Sequence, residues 1–312
     1  MKKIKGISLL VNEMIKFFSG NFVMILLVIT MLIAILPIFI VYNTDIPDDD
    51  GTLDSVISQL QVMGDNEQFS TNNNDEYNHE VSICRYMVDN NVLPPKTLSI
   101  SSVVKELNIY FPFFMIIIII GAGKIFADEY TKGTIMSYFS RPLQRWKVYC
   151  AKYITALCFA ITVIIVSLIV SVVVSGFMFG FEGLSDHIVY YDEGVKCDGV
   201  LLYVLKNNLY NMISVLGITS MVALGAILLE NGLFATCIGS LLYFMGSSVV
   251  LNFSKYNILK YVLLSNVQFQ ITRAGTVLFE GMTNTFSIVI VTIHCVVFSL
   301  ISVILYEKRN IG

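Results

Sequence analysis

Six residues in this chain have types and spacing that could do work: Glu129, Gly133, Thr134, Pro142, Arg145 and Lys152. An acid stands four residues before a Gly-Thr pair, a Pro follows the Thr by eight, an Arg follows the Pro by three, and a Lys comes seven later. Ile135, Met136, Tyr138 and Phe139 supply an apolar set inside the stretch, and Arg141-Pro142 stops it. Residues 128 to 150 therefore predict a short amphipathic helix and a turn. Such a helix, parallel to a membrane with a polar end in water, is a handle that a soluble partner can push. Read one by one, Gly133 serves equally to permit close packing and Pro142 to end a helix.

Other chemistries lack their parts. The nearest approach to a phosphate-binding loop is Gly121-Ala122-Gly123-Lys124-Ile125, which has Ile118 where the first glycine belongs and Ile125 where the magnesium-binding hydroxyl belongs. It reads as a small-residue patch at the end of a span. No carboxylate pair, His-Glu-x-x-His or Ser, His and Asp set offers catalysis or a metal site, so neither a catalytic residue nor a bound cofactor is expected. His294 is the one titratable group, cysteine and tyrosine aside, well inside an apolar run, and it reads as a packed, hydrogen-bonded histidine. A proton relay has no parts. Asp48-Asp49-Asp50-Gly51 fails as a calcium loop, because position 46 is Ile46. Cys150, Cys158, Cys237 and Cys295 read as small apolar residues, while Cys84 and Cys197 fall on two outer loops, where either a disulfide or two free thiols fits.

The elements that must position the six residues are apolar helices. Of the 312 residues, 55% are hydrophobic and 14% charged. With a mean hydropathy of +0.73, this composition excludes a soluble domain. A spanning helix needs roughly 20 apolar residues, because its backbone must satisfy itself where there is no water. Six runs qualify: 22–42, 109–126, 154–181, 209–229, 233–251 and 286–306. The fold expected is all-α, with six transmembrane helices.

Basic residues set the orientation. Lys2, Lys3, Lys5 and Lys16 precede the first run, and Glu307-Lys308-Arg309 follow the last. The segment 127–153 and its flank hold Lys124, Lys132, Arg141, Arg145, Lys147 and Lys152 against Asp128 and Glu129. These three regions are assigned to the cytoplasm, with both termini inside. The loop 43–108 has twelve acids against three bases, and 182–208 has five against two, so both are assigned outward. Lys255, Lys260 and Arg273 in the outer segment 252–285, expected to be re-entrant or interfacial, run against this pattern. Residues 1–21 predict an interfacial helix with Ile7, Leu10, Val11, Met14, Ile15 and Phe18 on its apolar face and Lys5, Asn12, Glu13 and Lys16 on the other. Part of 43–108 folds as a small cap, from the apolar phase of Leu53, Ile57, Leu60 and Met63. Its acids either attract cations or cationic peptides or form a solvated surface.

The six-residue spacing resembles the region after the second span in type 2 ATP-binding-cassette (ABC-2) permeases, the membrane subunits of many bacterial exporters. All six positions match, and the six-span plan and interfacial first helix agree; the long first outer loop departs from the smaller members. The resemblance implies a permease in the bacterial cell membrane that pairs with a second copy or a homologous permease. It implies a separate ATPase subunit, carrying ATP and magnesium, docked beneath 128–150, with Glu129, Gly133 and Thr134 at the contact. Nucleic acid has no part in it. The cargo implied is a hydrophobic or amphipathic molecule such as an antimicrobial peptide or drug. A receptor or sensor whose acidic outer loop binds a ligand is the competing reading.

Overall fold

The computed structural model describes residues 6–43, 52–65, 74–96, 98–131, 144–192, 194–253, 255–269, 279 and 281–308. In chain order come α1 (Gly6–Phe18), α2 (Asn21–Asn43), α3 (Leu53–Asp65), α4 (Asn74–Asp89), α5 (Ile100–Leu107), α6 (Phe111–Thr131) and α7 (Arg145–Phe179). After them come β1 (His187–Tyr191), β2 (Val195–Gly199), α8 (Val200–Leu229), α9 (Gly232–Asn252), α10 (Leu263–Asn266) and α11 (Asn284–Lys308). Among the described residues, α2, α6 over Phe111–Asp128, α7, α8 and α11 are long and apolar enough to cross a membrane. The chain is a helical membrane protein. The run at α9 has 21 helical residues, but the apolar stretch described there, Gly232–Gly246, falls short of that length.

Burial orders the bundle. About 67% of the apolar window of α6 is buried, against 17% for α11, so α6 is the central helix and α11 a peripheral one. Helices α7, α8 and α9 surround α6, and α2 packs along α7. Lipid offers no hydrophobic drive for this, so small residues and hydroxyls supply the close contact. The Gly121-Ala122-Gly123 patch does so here: a Cβ on Gly232 of α9 would lie 2.9 Å from the Gly123 carbonyl oxygen. Hydroxyls bridge helices as well. Ser171 of α7 donates to the Ala34 carbonyl of α2 at 3.0 Å, and Tyr153 of α7 donates to the Leu216 carbonyl of α8 at 2.8 Å. His294 sits 2.9 Å from the Ile290 carbonyl within its own helix, as a packed histidine does.

Two of the helices outrun their hydropathy. At 1.5 Å per residue, α7 is about 52 Å long and α8 about 45 Å, against roughly 30 Å of hydrocarbon. Helix α7 begins at Arg145 rather than at 154, and α8 at Val200 rather than at 209. Hydropathy sees the membrane-buried length alone, and polar residues such as Lys206, Asn207 and Asn208 continue the helix beyond it.

The segment 182–208, expected to be a loop in an all-α protein, instead holds an antiparallel hairpin with Val189 opposite Cys197 and Tyr191 opposite Val195. Ile188 and Tyr190 face α5 and α8, in a cluster with Ile100, Val104, Val200 and Tyr203. Val189 and Cys197 face the other way, against Val56 of α3 and Cys84 and Met87 of α4. The middle of β1 is thus covered on both faces, so His187-Ile188-Val189-Tyr190-Tyr191 shows no apolar-polar alternation to betray a strand. It joins the cap to the bundle. Ser101 of α5 donates to Asp186 at 2.9 Å, and Asn284 at the start of α11 hydrogen-bonds Asp192 at the hairpin turn. Residues 255–269 turn back into the bundle: Ser214 donates to the Val267 carbonyl at 2.5 Å, Gln268 to the Tyr243 carbonyl at 2.8 Å, and Phe269 is buried.

Candidate functional site

The segment between α6 and α7 is anchored by a buried lysine. Lys152 lies two turns into α7 and is 1% exposed. Its ammonium donates to the Ile125 carbonyl of α6 at 2.9 Å and lies 3.5 Å from the Glu13 carboxylate of α1. A charge placed there needs both contacts, since a buried ammonium is costly unless hydrogen-bonded and paired. One side chain thus ties three helices at the end of the bundle opposite the cap.

Arg145 makes a second tie. It is the first residue of α7, and its guanidinium donates to the Glu307 carbonyl at 2.9 Å and the Tyr306 carbonyl at 3.3 Å. Those carbonyls belong to the last turn of α11, where helical hydrogen bonding runs out and the helix dipole is negative, so a cation caps it.

Of the six residues singled out from the sequence, the structure brings Arg145 and Lys152 onto one helix, Arg145 half-buried against α11 and Lys152 buried against α6 and α1. Glu129 belongs to the last turn of α6; its side chain, with Gly133, Thr134 and Pro142 entirely, lies outside the described residues. The expected amphipathic helix over Ile135 to Phe139 lies outside them too.

Glu13 is the residue that sequence reasoning missed. It was expected on the outward polar face of α1, and it is 4% exposed. Helix α1 is rotated from the expected pose: Leu9, Glu13 and Phe17 face α7, with the Phe17 and Phe159 rings 5.2 Å apart edge to face. Ile7, Val11 and Ile15 point away, Ile7 being 75% exposed, which suits a helix laid against lipid. A signal was present, because Glu13 is the sole acid in the first 44 residues and Lys152 opens a long apolar run. The neighbouring Lys124 ammonium lies 3.7 Å above the Phe22 ring, with Glu13, Lys16 and Asp128 around a cavity of about 130 Å³.

At the cap, Cys84 and Cys197 share one apolar cluster and stand there as free thiols. Burial pushes both thiols up; Glu80 adds to this at Cys84, against a pull down from Lys105, and Asp198 adds to it at Cys197. Asp198 accepts from Lys206 at 2.6 Å and from the Tyr190 hydroxyl at 2.5 Å. Burial pushes its carboxyl up, yet those hydrogen bonds and the charges of Lys206 and Lys196 hold it below its ordinary value. Among the described residues no group of three or more His, Cys, Asp or Glu side chains could hold a metal ion.

A model of the family described as "Protein of unknown function (DUF2705)" matches residues 52–312, from α3 through the bundle. The "Uncharacterized protein YhcI" of Bacillus subtilis (strain 168) is 27% identical over 243 residues, covering 76% of this chain and 77% of that relative.

Proposed function

The chain belongs to the family described as "Protein of unknown function (DUF2705)", and from that premise we propose that it is the membrane-spanning permease subunit of an ATP-binding-cassette transporter of the ABC-2 type. In this reading the chain crosses the bacterial cell membrane six times, α9 included, with both termini inside and the cap outside. ATP and magnesium are bound by a separate ATPase, and a second permease copy or homologue completes the path. The cargo is an exported hydrophobic or amphipathic molecule.

The observation that carries the reading is the spacing Glu129, Gly133, Thr134, Pro142, Arg145 and Lys152 in a basic segment whose flanks are locked into the bundle. A push on that segment has somewhere to go. Lys152 couples it to α1 and the end of α6, and Arg145 couples it to α11. An ATPase closing beneath the segment would move these helices together rather than bend one loop. The scarcity of ionisable groups inside the apolar helices supports an outside energy source, because ion-coupled transporters keep titratable groups there.

The test is association. Purified from its own membranes, the full-length chain is expected to bring a P-loop ATPase with it in near-equal amount. Glu129→Ala and Gly133→Trp are expected to reduce that recovery at least about tenfold, a loss of about 1.4 kcal/mol. Unchanged recovery with both variants, or no ATPase at all, would remove the coupling assignment and favour the receptor reading.

A further inference from the structure

At the cap end of the bundle a cavity of about 340 Å³ opens between α4, β1, the junction of α5 with α6 and the first three turns of α8. That volume falls in the range of sites that take small organic ligands. Its floor is aromatic: Tyr203 and Phe269 are buried there, and the Tyr210 ring lies 5.3 Å from that of Phe269. Asn207 sits on the same floor, 5% exposed, and among the described residues its Nδ2 has no hydrogen-bond partner. Buried side-chain amides are nearly always satisfied, so an unmatched one lining a cavity marks a place for a ligand atom. Among the described residues, the carboxylates of Glu80 and Glu106 stand on the lining against the ammonium of Lys105. Aromatic rings and a net negative wall both favour a cation, and the strongly acidic loop 43–108 attracts one.

We infer that this cavity is a binding site for a small amphipathic organic cation. The amine or quaternary ammonium head lies against the tyrosine faces and the two carboxylates. The apolar body lies on Phe269, and the Asn207 amide hydrogen-bonds an acceptor on the ligand where it has one. The inference goes beyond the permease reading and does not rest on it, since binding is measured on this chain alone with no ATPase present.

The experiment places the full-length chain in nanodiscs of zwitterionic lipid and titrates three probes by calorimetry and saturation-transfer NMR. They are benzyltrimethylammonium, the uncharged N,N-dimethylbenzamide and the anionic benzylphosphonate. The cation is expected to bind at least about tenfold tighter than either of the others. Glu106→Gln and Tyr210→Ala are each expected to weaken it by about 3- to 30-fold, as loss of a charge partner or a ring face does. Tyr210→Phe, which keeps the ring, is expected to hold affinity within about threefold. No binding to the wild-type chain, equal binding of the uncharged probe, or cation affinity unchanged in Glu106→Gln would each overturn the assignment.

Discussion

Replacing Lys152 with methionine tests whether the buried ion pair holds the base of the bundle together. Lys152 and Glu13 have side chains 2% and 5% exposed and lie 3.5 Å apart. With an effective dielectric of about 20, that separation is worth about 5 kcal/mol of attraction before desolvation is counted. Removing one partner of such a pair leaves its counter-charge buried, and the usual cost is about 3–5 kcal/mol. The lost hydrogen bond to the Ile125 carbonyl acts in the same direction. Lys152→Met is therefore expected to destabilise the protein by about 3–5 kcal/mol. The double variant Glu13→Gln with Lys152→Met removes both charges, and it is expected to recover about 1.5 kcal/mol or more of that loss. SDS-titration unfolding of the full-length protein in mixed micelles, followed by circular dichroism, reads both values. A loss under about 1 kcal/mol for Lys152→Met would refute the reasoning. So would a double variant as unstable as the sum of the two single ones, since that shows no coupling between the sites.

Three further outcomes follow from the same geometry. Asp198, held below its ordinary value near 3.8, stabilises the cap while ionised; hydrogen-exchange protection of residues 187–199, corrected for intrinsic rates, is expected to be constant above that value and to fall as pH drops through the lowered one, and Asp198→Asn is expected to abolish this dependence. In a background keeping only Cys84 and Cys197, both thiols are expected to react with a maleimide without prior reduction, slowly at pH 7 and faster up to pH values near and above the ordinary 9.0; labelling that requires a reductant would contradict free thiols. Gly232→Leu forces a side chain into the Gly123 carbonyl and is expected to cost about 1–3 kcal/mol in the same SDS titration, whereas Gly225→Ala, with nothing nearer than 3.8 Å, is expected to cost little.

The membrane-crossing helices were legible because twenty apolar residues with few charges have few other uses. Phe22 to Tyr42 and Phe286 to Tyr306 coincide with α2 and α11 to within two residues. The ends were less legible. Tyr203 to Asn208 reads as polar loop by hydropathy, yet it continues α8, because the helix rises out of the apolar layer to carry the cap. Strand β1 was hidden for a related reason, since burial of both of its faces erased its alternation, and β2 is only five residues long. At the site, Arg145 and Lys152 were found by spacing, but spacing cannot show that each reaches inward to another helix. Glu13 was misplaced because amphipathic periodicity puts polar residues outside. One buried partner, Lys152, reverses that for a single position, while Ile7 and Ile15 stay exposed on the opposite side.

Transport in a defined membrane tests the central claim most directly. The full-length chain is reconstituted into liposomes with and without the ATPase that co-purifies with it, and movement of a fluorescent amphiphile is followed on adding ATP and magnesium. Movement is expected only when both the ATPase and ATP are present, and to stop in the Glu129→Ala variant. Transport by the chain alone, with no nucleotide-hydrolysing subunit in the vesicle, would contradict the account.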